Sequence, residues 1–358
     1  MTKRSVKIFL LVLSTVAFVA VSASAMNQKS TATDPPKLVY FIFTGYAYPY
    51  FAPMAKAVIQ ASGHFPDMAV RIVNADNSAS KEITDVKEAV AAGAKGILLN
   101  TIQESVTDAA KDAMHQGVPV ITIDRDISDP AARAAFIGDN DLTLGTEETR
   151  YAVDYLASHN IPKPWHVVVL QGTLGASVTI GRLKGAMDIL QPLVDNGSVR
   201  IVLNQSANFA TDTAQTMIST LLAKTSDIQL VVCGNDAEAL GAINAFRSAG
   251  VALGKTTFVV GADAQPQSLE AVKNGSQLDT VAHSPFVEAY WAVEAMHNYL
   301  ANGTRPDPAK FRGSRVIIPM TLVTRENVGS ISDWGTPQTI AALPYGTAME
   351  YRVSMLKK

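Results

Sequence analysis

Short apolar runs alternate with longer amphipathic segments along most of this chain. The runs LVYFIF, MAVRIVNA, GILLN and VPVITIDR each fit a strand that is buried on both faces, as in a parallel sheet. After the short apolar segment AAFIGDN (134–140) the pattern starts again, with the strands HVVVLQG, VRIVLN, IQLVVCGND, TTFVVGAD and LDTVAHS. This repeated alternation predicts an α/β fold with two similar halves, each built on a parallel sheet.

Helical periodicity and capping residues predict the helices between these strands. A first helix is predicted after the loop that follows LVYFIF; Ser80 is a candidate N-cap for the next helix, after MAVRIVNA, and Gly93 is placed to end it. Further helices are predicted over 144–158, 181–193, 211–224, 236–248, 267–273 and 285–300. The last of these and the apolar run RVIIPMTLV (315–323) lie beyond both halves. Their position indicates that the chain passes between the two lobes more than once.

The first 25 residues have the pattern of a secretory signal peptide. Three cations precede an apolar run over residues 8–21, and Ala23-Ser24-Ala25 supplies the small residues of a cleavage site. The run is too short for a transmembrane helix, and no cysteine that could carry a lipid follows the cleavage site. We therefore expect a soluble exported protein, most simply in a Gram-negative periplasm, with a flexible polar leader over 26–37.

Composition narrows the range of partners. The formal net charge is −2 and lysine and arginine form no cluster, so nucleic acid is not an expected partner. The sequence has no G-x-S-x-G elbow, H-E-x-x-H pair or phosphate-binding loop, and neither a metal nor a cofactor is expected. The single cysteine, Cys233, cannot form an internal disulfide, so the fold is expected to depend on its apolar core.

The strand VPVITIDR ends in two residues that favour ligand binding. In open α/β sheets ligands bind at the carboxyl ends of the strands, so Asp124 and Arg125 would project into a crevice. There a carboxylate acceptor and a planar five-donor guanidinium can bind hydroxyl groups. The alternative is a surface turn with a local ion pair, and this motif alone does not separate the two.

Several other strand ends carry polar or aromatic groups. The segment TGYAYPYF (44–51) has four aromatic rings, which suit the C–H faces and hydroxyl rims of sugars, although a hydrophobic staple before the first helix is the alternative. Asn235 offers donors and an acceptor, whereas the adjacent Asp236 is favoured as a helix N-cap. Asp263 and His283 end two further strands, with a turn and an interlobe hydrogen bond as their structural alternatives.

Several strings, in order and at family spacing, give residues 38–323 a resemblance to the ribose-binding-protein type of periplasmic solute receptor. The strings are TGYAYPYFAPMAKAV, PVITIDRD, LQGTLGASVTIGRLKGAM, ANFATDTAQ, VVCGNDAEALGAINAFRSAG and VVGADAQPQSLEAV. This group shares its ligand core with LacI-family repressors. The resemblance implies two Rossmann-like lobes joined by three crossings, the type I periplasmic binding protein fold. It also implies a monomer that binds a sugar or polyol in the cleft and delivers it to the permease of an ABC transporter in the inner membrane.

On this resemblance the chain divides into a signal peptide, a leader, two discontinuous lobes and an extension. The expected segments are 1–25, 26–37, 38–138 plus 284–312 for the first lobe, 139–283 plus 313–323 for the second lobe, and 324–358 for the C-terminal extension. The family's cleft positions fall on Thr44, Tyr48, Tyr50, Phe51, Asp124, Arg125, Phe209, Asn235, Asp263 and His283.

Departures from the family pattern bear on the ligand. Ile180 stands where ribose-type members have a ligand-binding arginine, and Arg182 matches a partner that is less directly at the sugar. His283 replaces a glutamine, Tyr48 replaces an asparagine and Ala262 replaces an aromatic residue. We therefore expect a pocket with an apolar wall at Ile180, a ligand such as a monosaccharide, deoxysugar or polyol with a less polar edge, and poor binding of ribose.

Two other functions are compatible with the same residues. A sugar-modifying enzyme could use Asp124, Asp236, Asp263 and His283 as an acid-base set, although acceptors that orient hydroxyls explain them without chemistry. A receptor for a non-sugar molecule, such as a furanosyl signalling compound, is the second alternative. A repressor would need a helix-turn-helix before residue 38, where only the signal and the polar leader occur.

Overall fold

The computed structural model describes residues 34–305, 312–331 and 334. The predicted signal peptide (1–25), most of the leader and most of the 324–358 extension lie outside these residues. Twelve strands in the described part of the chain form two sheets of six strands each, and the two sheets are the centres of two lobes. The prediction of a two-lobed α/β fold is confirmed.

The first sheet is parallel throughout. Its strands are β1 (Lys37–Phe43), β2 (Met68–Asn74), β3 (Gly96–Asn100), β4 (Val120–Ile123), β5 (Ala135–Gly138) and β11 (Arg315–Ile317). They lie in the order β2-β1-β3-β4-β5-β11. The central strand β3 is buried along its whole length, as its continuous apolar run predicts.

The second sheet repeats this arrangement with one difference. Its strands are β6 (Trp165–Gln171), β7 (Val199–Ser206), β8 (Leu230–Cys233), β9 (Phe258–Ala262), β10 (Asp279–Ala282) and β12 (Thr321–Val323), in the order β7-β6-β8-β9-β10-β12. The edge strand β12 runs antiparallel to β10. The prediction of a parallel sheet therefore holds for five of the six strands, because β12 arrives directly from the other lobe and not through a helical crossover.

Helices cover both faces of each sheet. The helices of the first lobe are α1 (Phe51–Ser62), α2 (Ala79–Ala91), α3 (Thr107–His115) and α9 (Pro285–Asn302). Those of the second lobe are α4 (Asp141–Ser158), α5 (Ser177–Asp195), α6 (Thr211–Leu222), α7 (Asp236–Ser248) and α8 (Pro266–Asn274). Apolar residues of α1 and α9 pack on one face of the first sheet, and those of α2 and α3 pack on the other. No helix within the described residues is both long enough and apolar enough to cross a membrane.

Capping explains where some of these helices begin. The side chain of Asn235 accepts a hydrogen bond from the N–H of Glu238, which starts α7 at the predicted residue. In α2 the N-cap is Ser78, whose hydroxyl accepts from the N–H of Lys81, and Ser80 lies inside the helix. The predictions of Ser80 as an N-cap and of Asp236 as the N-cap of α7 are therefore wrong.

The apolar run over 315–323 is divided between the two sheets. Its first part forms β11 beside β5, and its last part forms β12 beside β10. Pro319 lies between them, and a proline cannot donate to a ladder of strands. The chain thus crosses between the lobes at 139–140, 283–284 and 318–320, and the lobe boundary predicted at residue 313 is corrected to the segment after Ile317.

The described part of the extension reaches the second of these crossings. The carbonyl of Trp334 accepts a hydrogen bond from the hydroxyl of Ser284, and its ring centroid lies 6.2 Å from that of Tyr50. The extension therefore contacts the junction of the lobes.

Candidate functional site

The carboxyl ends of strands from both sheets meet at a small cavity between the lobes. The residues that line it are Tyr48, Tyr50, Phe51, Asp124, Arg125, Val178, Arg182, Phe209, Asn235 and Asp263. The cavity measures about 30 Å³, which is room for one or two water molecules. The two lobes are therefore closed on each other in this structure.

Asp124 is held in a backbone conformation that few residues adopt. Its φ is 63°, in the left-handed region that favours glycine. The N–H of Asp124 donates to the carbonyl of Ile137 at 2.9 Å, and Nδ2 of Asn100 donates to its Oδ2 at 3.0 Å. Surrounding bonds that stabilise an uncommon backbone geometry are typical of a functional site. Burial raises the pKa of Asp124 to about 6, although the charge of Arg125 opposes this rise.

Arg125 lies inside a box of three aromatic rings. Its Cζ is 5.2 Å from the ring centre of Phe51 and 5.5 Å from those of Tyr48 and Phe209. Its Nε has no hydrogen-bond partner among the described residues, and the Asp124 carboxylate is 3.8 Å from that atom. One Nη donates to the carbonyl of Ile102 at a long 3.4 Å. Burial lowers the pKa of this guanidinium. A buried cation with unused donors is poised to bind acceptor groups of a ligand.

The aromatic box draws its walls from both lobes. Tyr48 and Phe51 come from the segment after β1, with their ring centroids 5.6 Å apart. Phe209 comes from the segment after β7, and its N–H donates to Glu238 at 2.8 Å. A Cβ added to Gly172 would lie 1.9 Å from the Phe209 ring, so only glycine allows this ring position. The faces of the rings can pack on C–H groups of a ligand.

A buried hydrogen-bond chain lies behind the cavity at the second crossing. The hydroxyl of Tyr50 is 2.8 Å from Nδ1 of His283 and donates to Glu288 at 3.2 Å. Nε2 of His283 is 3.0 Å from Oδ1 of Asp263. Burial lowers the pKa of His283, but the charge of Asp139 and hydrogen bonds to Asp263 and Glu288 outweigh it and raise the pKa well above its usual value. A protonated His283 donates from both ring nitrogens and holds Asp263 at the cavity.

Arg182 lies at the cavity, beside the first crossing, and bonds to residues of three different segments. Its Nε pairs with Asp141 at 3.1 Å, and one Nη pairs with Asp263 at 3.1 Å. The same Nη donates to the carbonyl of Gly234 at 2.9 Å, and the other lies 3.5 Å from Asp139. Burial lowers the pKa of Arg182, but Asp263, Asp139 and Asp141 outweigh it and raise the pKa well above its usual value. Arg182 is thus the main buried cation among these carboxylates.

The structure changes the role expected for helix α5. Ile180 is 56 % exposed and is not among the described residues that line the cavity. Val178 and Arg182 line it instead, because residues four apart share one face of a helix and Ile180 points away from that face. The structure therefore does not place the predicted apolar wall of Ile180 at the cavity, whereas Arg182, predicted to lie less directly at the sugar, lines it with donors engaged by Asp141, Asp263 and Gly234.

The other predicted residues occupy different depths in the site. Thr44 is fully buried behind the cavity, where its N–H and hydroxyl both bond to Asn100. His283 lies one layer behind Asp263. Asn235 lines the cavity, but its Oδ1 caps α7, so its amide NH₂ is the group left to bind a ligand. In the described part of the chain, no set of three histidine, cysteine or acidic side chains is placed to hold a metal ion.

Glu82 carries no motif that indicates a role in the site, yet it is fully buried and holds the segment that Arg125 contacts. Its carboxyl accepts hydrogen bonds from the N–H of Ile102 at 3.0 Å and from the hydroxyl of Thr101 at 3.3 Å. Ile102 in turn receives the bond from Arg125. Burial raises the pKa of Glu82 to about 8, although the Ile102 hydrogen bond opposes this rise.

A pH dependence of stability follows from Glu82. Its folded pKa lies above the unfolded value, so its contribution is complete below the unfolded pKa of 4.5 and is lost as pH rises through about 8. Relative to a Glu82→Gln protein, the wild type should lose roughly 2 kcal/mol of unfolding free energy between pH 6 and pH 8. Urea denaturation at the two pH values measures this, with Glu88→Gln on the exposed face of α2 as the control. A constant difference between wild type and Glu82→Gln would contradict it.

Comparison with known proteins identifies the relatives of this chain. A profile of the periplasmic binding protein domain matches residues 39–304. The ribose import binding protein of Bacillus subtilis (strain 168) is 31% identical over 253 residues, covering 70% of this chain and 78% of that protein. The galactofuranose-binding protein of Escherichia coli (strain K12) is 27% identical over 325 residues, covering 86% and 98%. The Caulobacter myo-inositol binding protein, solved with myo-inositol, superposes with a TM-score of 0.73 at 25% identity, covering 86% and 97%.

These comparisons confirm the resemblance inferred from the sequence strings. The matched profile runs from β1 to α9 and so covers both lobes except for their edge strands β11 and β12. The matched proteins are binding proteins of transporters and not enzymes, so the alternative of a sugar-modifying enzyme is set aside. This chain belongs to the periplasmic binding protein family.

Proposed function

We propose that this protein is the solute receptor of an ABC importer and that it binds a monosaccharide, deoxysugar or polyol between its lobes. The observation that carries the proposal is the aromatic box around Arg125, with the Asp124 carboxylate beside it. Relatives named for ribose and galactofuranose, and a structure bound to myo-inositol, support a ligand of this class.

The residues around the cavity supply both kinds of contact that a sugar needs. Asp124 and Asp263 can accept hydrogen bonds from ligand hydroxyls, and Arg125 and the amide of Asn235 can donate to ligand oxygens. The rings of the box can pack on the C–H faces of the ligand. Polar groups that converge on an apolar wall are typical of small-molecule sites at domain interfaces.

Binding requires the lobes to open and close. The cavity of about 30 Å³ admits water but not a sugar, so a ligand enters only after the lobes separate or Arg125 moves. The three crossings at 139–140, 283–284 and 318–320 are the segments about which the lobes would rotate. On this proposal the protein closes on its ligand as a hinged pair of lobes.

The proposed location of the protein is the periplasm, and its proposed partner is the permease of the importer. The cations, apolar run and Ala23-Ser24-Ala25 of the first 25 residues support export into the periplasm. The closed, loaded receptor would then present both lobes to the permease of the importer in the inner membrane. We propose that it works there as a monomer.

A ligand panel tests the proposed class. Pentoses, hexoses, a deoxysugar and myo-inositol are incubated with the protein, and the melting temperature is measured for each. A ligand at a hundredfold its dissociation constant should stabilise the fold by about 2.7 kcal/mol, which is visible as a melting shift. Amino acids and nucleosides serve as the comparison set. Shifts with the comparison set and none with any sugar or polyol would contradict the proposal and favour a non-sugar ligand.

A further inference from the structure

A hydrogen bond from a backbone N–H to a side-chain hydroxyl joins the two lobes outside the cavity. The N–H of Asp126 in the first lobe donates to Oγ of Ser177 in the second lobe at 2.8 Å. Asp126 lies in the segment after β4, and Ser177 is the first residue of α5. Neither is among the described residues that line the cavity. Because the two partners belong to different lobes, this bond can exist only while the lobes are closed.

The carboxylate of Asp126 holds the donor of this bond in position. Its oxygens accept from the hydroxyl of Thr122 at 2.9 Å and from the N–H of Ile127 at 2.8 Å. Arg133 donates to the same carboxylate at 3.0 Å, and Arg315 of β11 donates as well. The residue is 7% exposed. A side chain fixed on several sides leaves the adjacent N–H little freedom, so the donor is already oriented when the lobes meet.

A second contact between the lobes ends on the same segment of the second lobe. The hydroxyls of Tyr48 and Thr173 are 3.3 Å apart. Thr173 and Ser177 both belong to the short stretch that leads from β6 into α5. This stretch therefore meets the first lobe at two points, one at the wall of the cavity and one beyond it.

We propose that the bond between Asp126 and Ser177 is a latch that determines how tightly and how long a ligand is held, without touching the ligand. The inference rests on the proposed function, since it concerns the closed form that holds the ligand. A ligand that binds only the closed form has an apparent affinity proportional to the closed fraction of the free protein. Loss of one neutral hydrogen bond should lower that fraction by about fivefold.

Ser177→Ala tests the latch through binding kinetics. The probe is the sugar or polyol that gives the wild type its largest melting shift. We expect its dissociation constant to rise about fivefold through a faster dissociation rate, with the association rate unchanged, because the bond forms only after closure. Ser177→Thr keeps the Oγ acceptor and should restore wild-type rates. Ser80→Ala is the matched control, since Ser80 lies in the first turn of α2 and its hydroxyl bonds to Ser78 of the same lobe.

A distance measurement without ligand tests the latch independently of the proposed function. Spin labels on cysteines at the exposed positions Lys87 and Asn196, one in each lobe, report the distance between the lobes, and the native Cys233 is buried. Ser177→Ala should shift the distance distribution towards longer values without lowering the ligand-free melting temperature. If wild type binds nothing on the panel, the proposed function fails while this measurement still decides the latch. Unchanged distances, or a lowered melting temperature that Ser177→Thr does not restore, would overturn the latch.

Discussion

Replacement of Arg125 by alanine should lower affinity for the sugar ligand by about a hundredfold or more, with little change in ligand-free stability. Each charge-assisted hydrogen bond from the guanidinium to a ligand contributes about 1.5 to 3 kcal/mol, and two such bonds account for the loss. Stability should hold because the desolvation cost of this buried cation offsets its contacts with the three rings and with Asp124, while its Nε is unpaired and its hydrogen bond to Ile102 is long.

Calorimetric titration and ligand-free melting together decide this prediction. Arg125→Lys is the matched control, because it keeps the charge but loses the planar fork, and its affinity should lie between those of wild type and alanine. The contrary outcome is an alanine protein that binds normally, or one that melts well below wild type without ligand. The second result would mean that Arg125 and Asp124 form a structural ion pair.

Arg182 should behave in the opposite way. Its guanidinium pairs with Asp141 and Asp263 and bonds to the carbonyl of Gly234. Replacement by methionine keeps much of the volume but leaves buried carboxylates without their cation. Breaking a buried pair in this manner costs about 3 to 5 kcal/mol of unfolding free energy. Urea denaturation without ligand should show this loss at pH 7.

The exposed Arg150 of α4 provides the control for this experiment, since Arg150→Met removes the same charge from the surface. Its free energy of unfolding should stay within about 0.5 kcal/mol of wild type. If Arg182→Met were as stable as the control, the neighbouring acids would have to be neutral in the folded protein, and the assignment of Arg182 as their counterion would be wrong. Both arginines line the cavity, but we expect Arg125 to serve ligand binding and Arg182 to serve the stability of the fold.

Much of the fold could be predicted from the sequence because strands and helices leave local signals. The buried strands appear as short apolar runs, and Asn235 fixes the start of α7 where the pattern places it. The split of 315–323 between two sheets leaves no such signal, because both halves are equally apolar and their partners, β5 and β10, are far away in the chain. Sheet membership depends on pairing across long sequence separations.

The errors in the candidate site have a similar origin. The helix containing Ile180 was expected to begin at residue 181, which would leave Ile180 in a loop free to face the cavity. The helix begins at Ser177, and this start fixes the phase that turns Val178 and Arg182 inward. Glu82 and Glu288 resemble ordinary surface acids of a helical first turn, and only tertiary packing buries them.

Each lobe is built from separate segments of the chain, and this limits when the lobe can fold during synthesis. The first lobe takes one layer of its core from α9 and its edge strand from β11, so its sheet and core remain incomplete until residue 317 has been synthesised. Domains built from contiguous segments can fold one after another as they emerge, but here neither lobe is contiguous. The polypeptide therefore lacks a finished first lobe for almost its whole length, and this lobe can complete its sheet only after β11 has joined the chain.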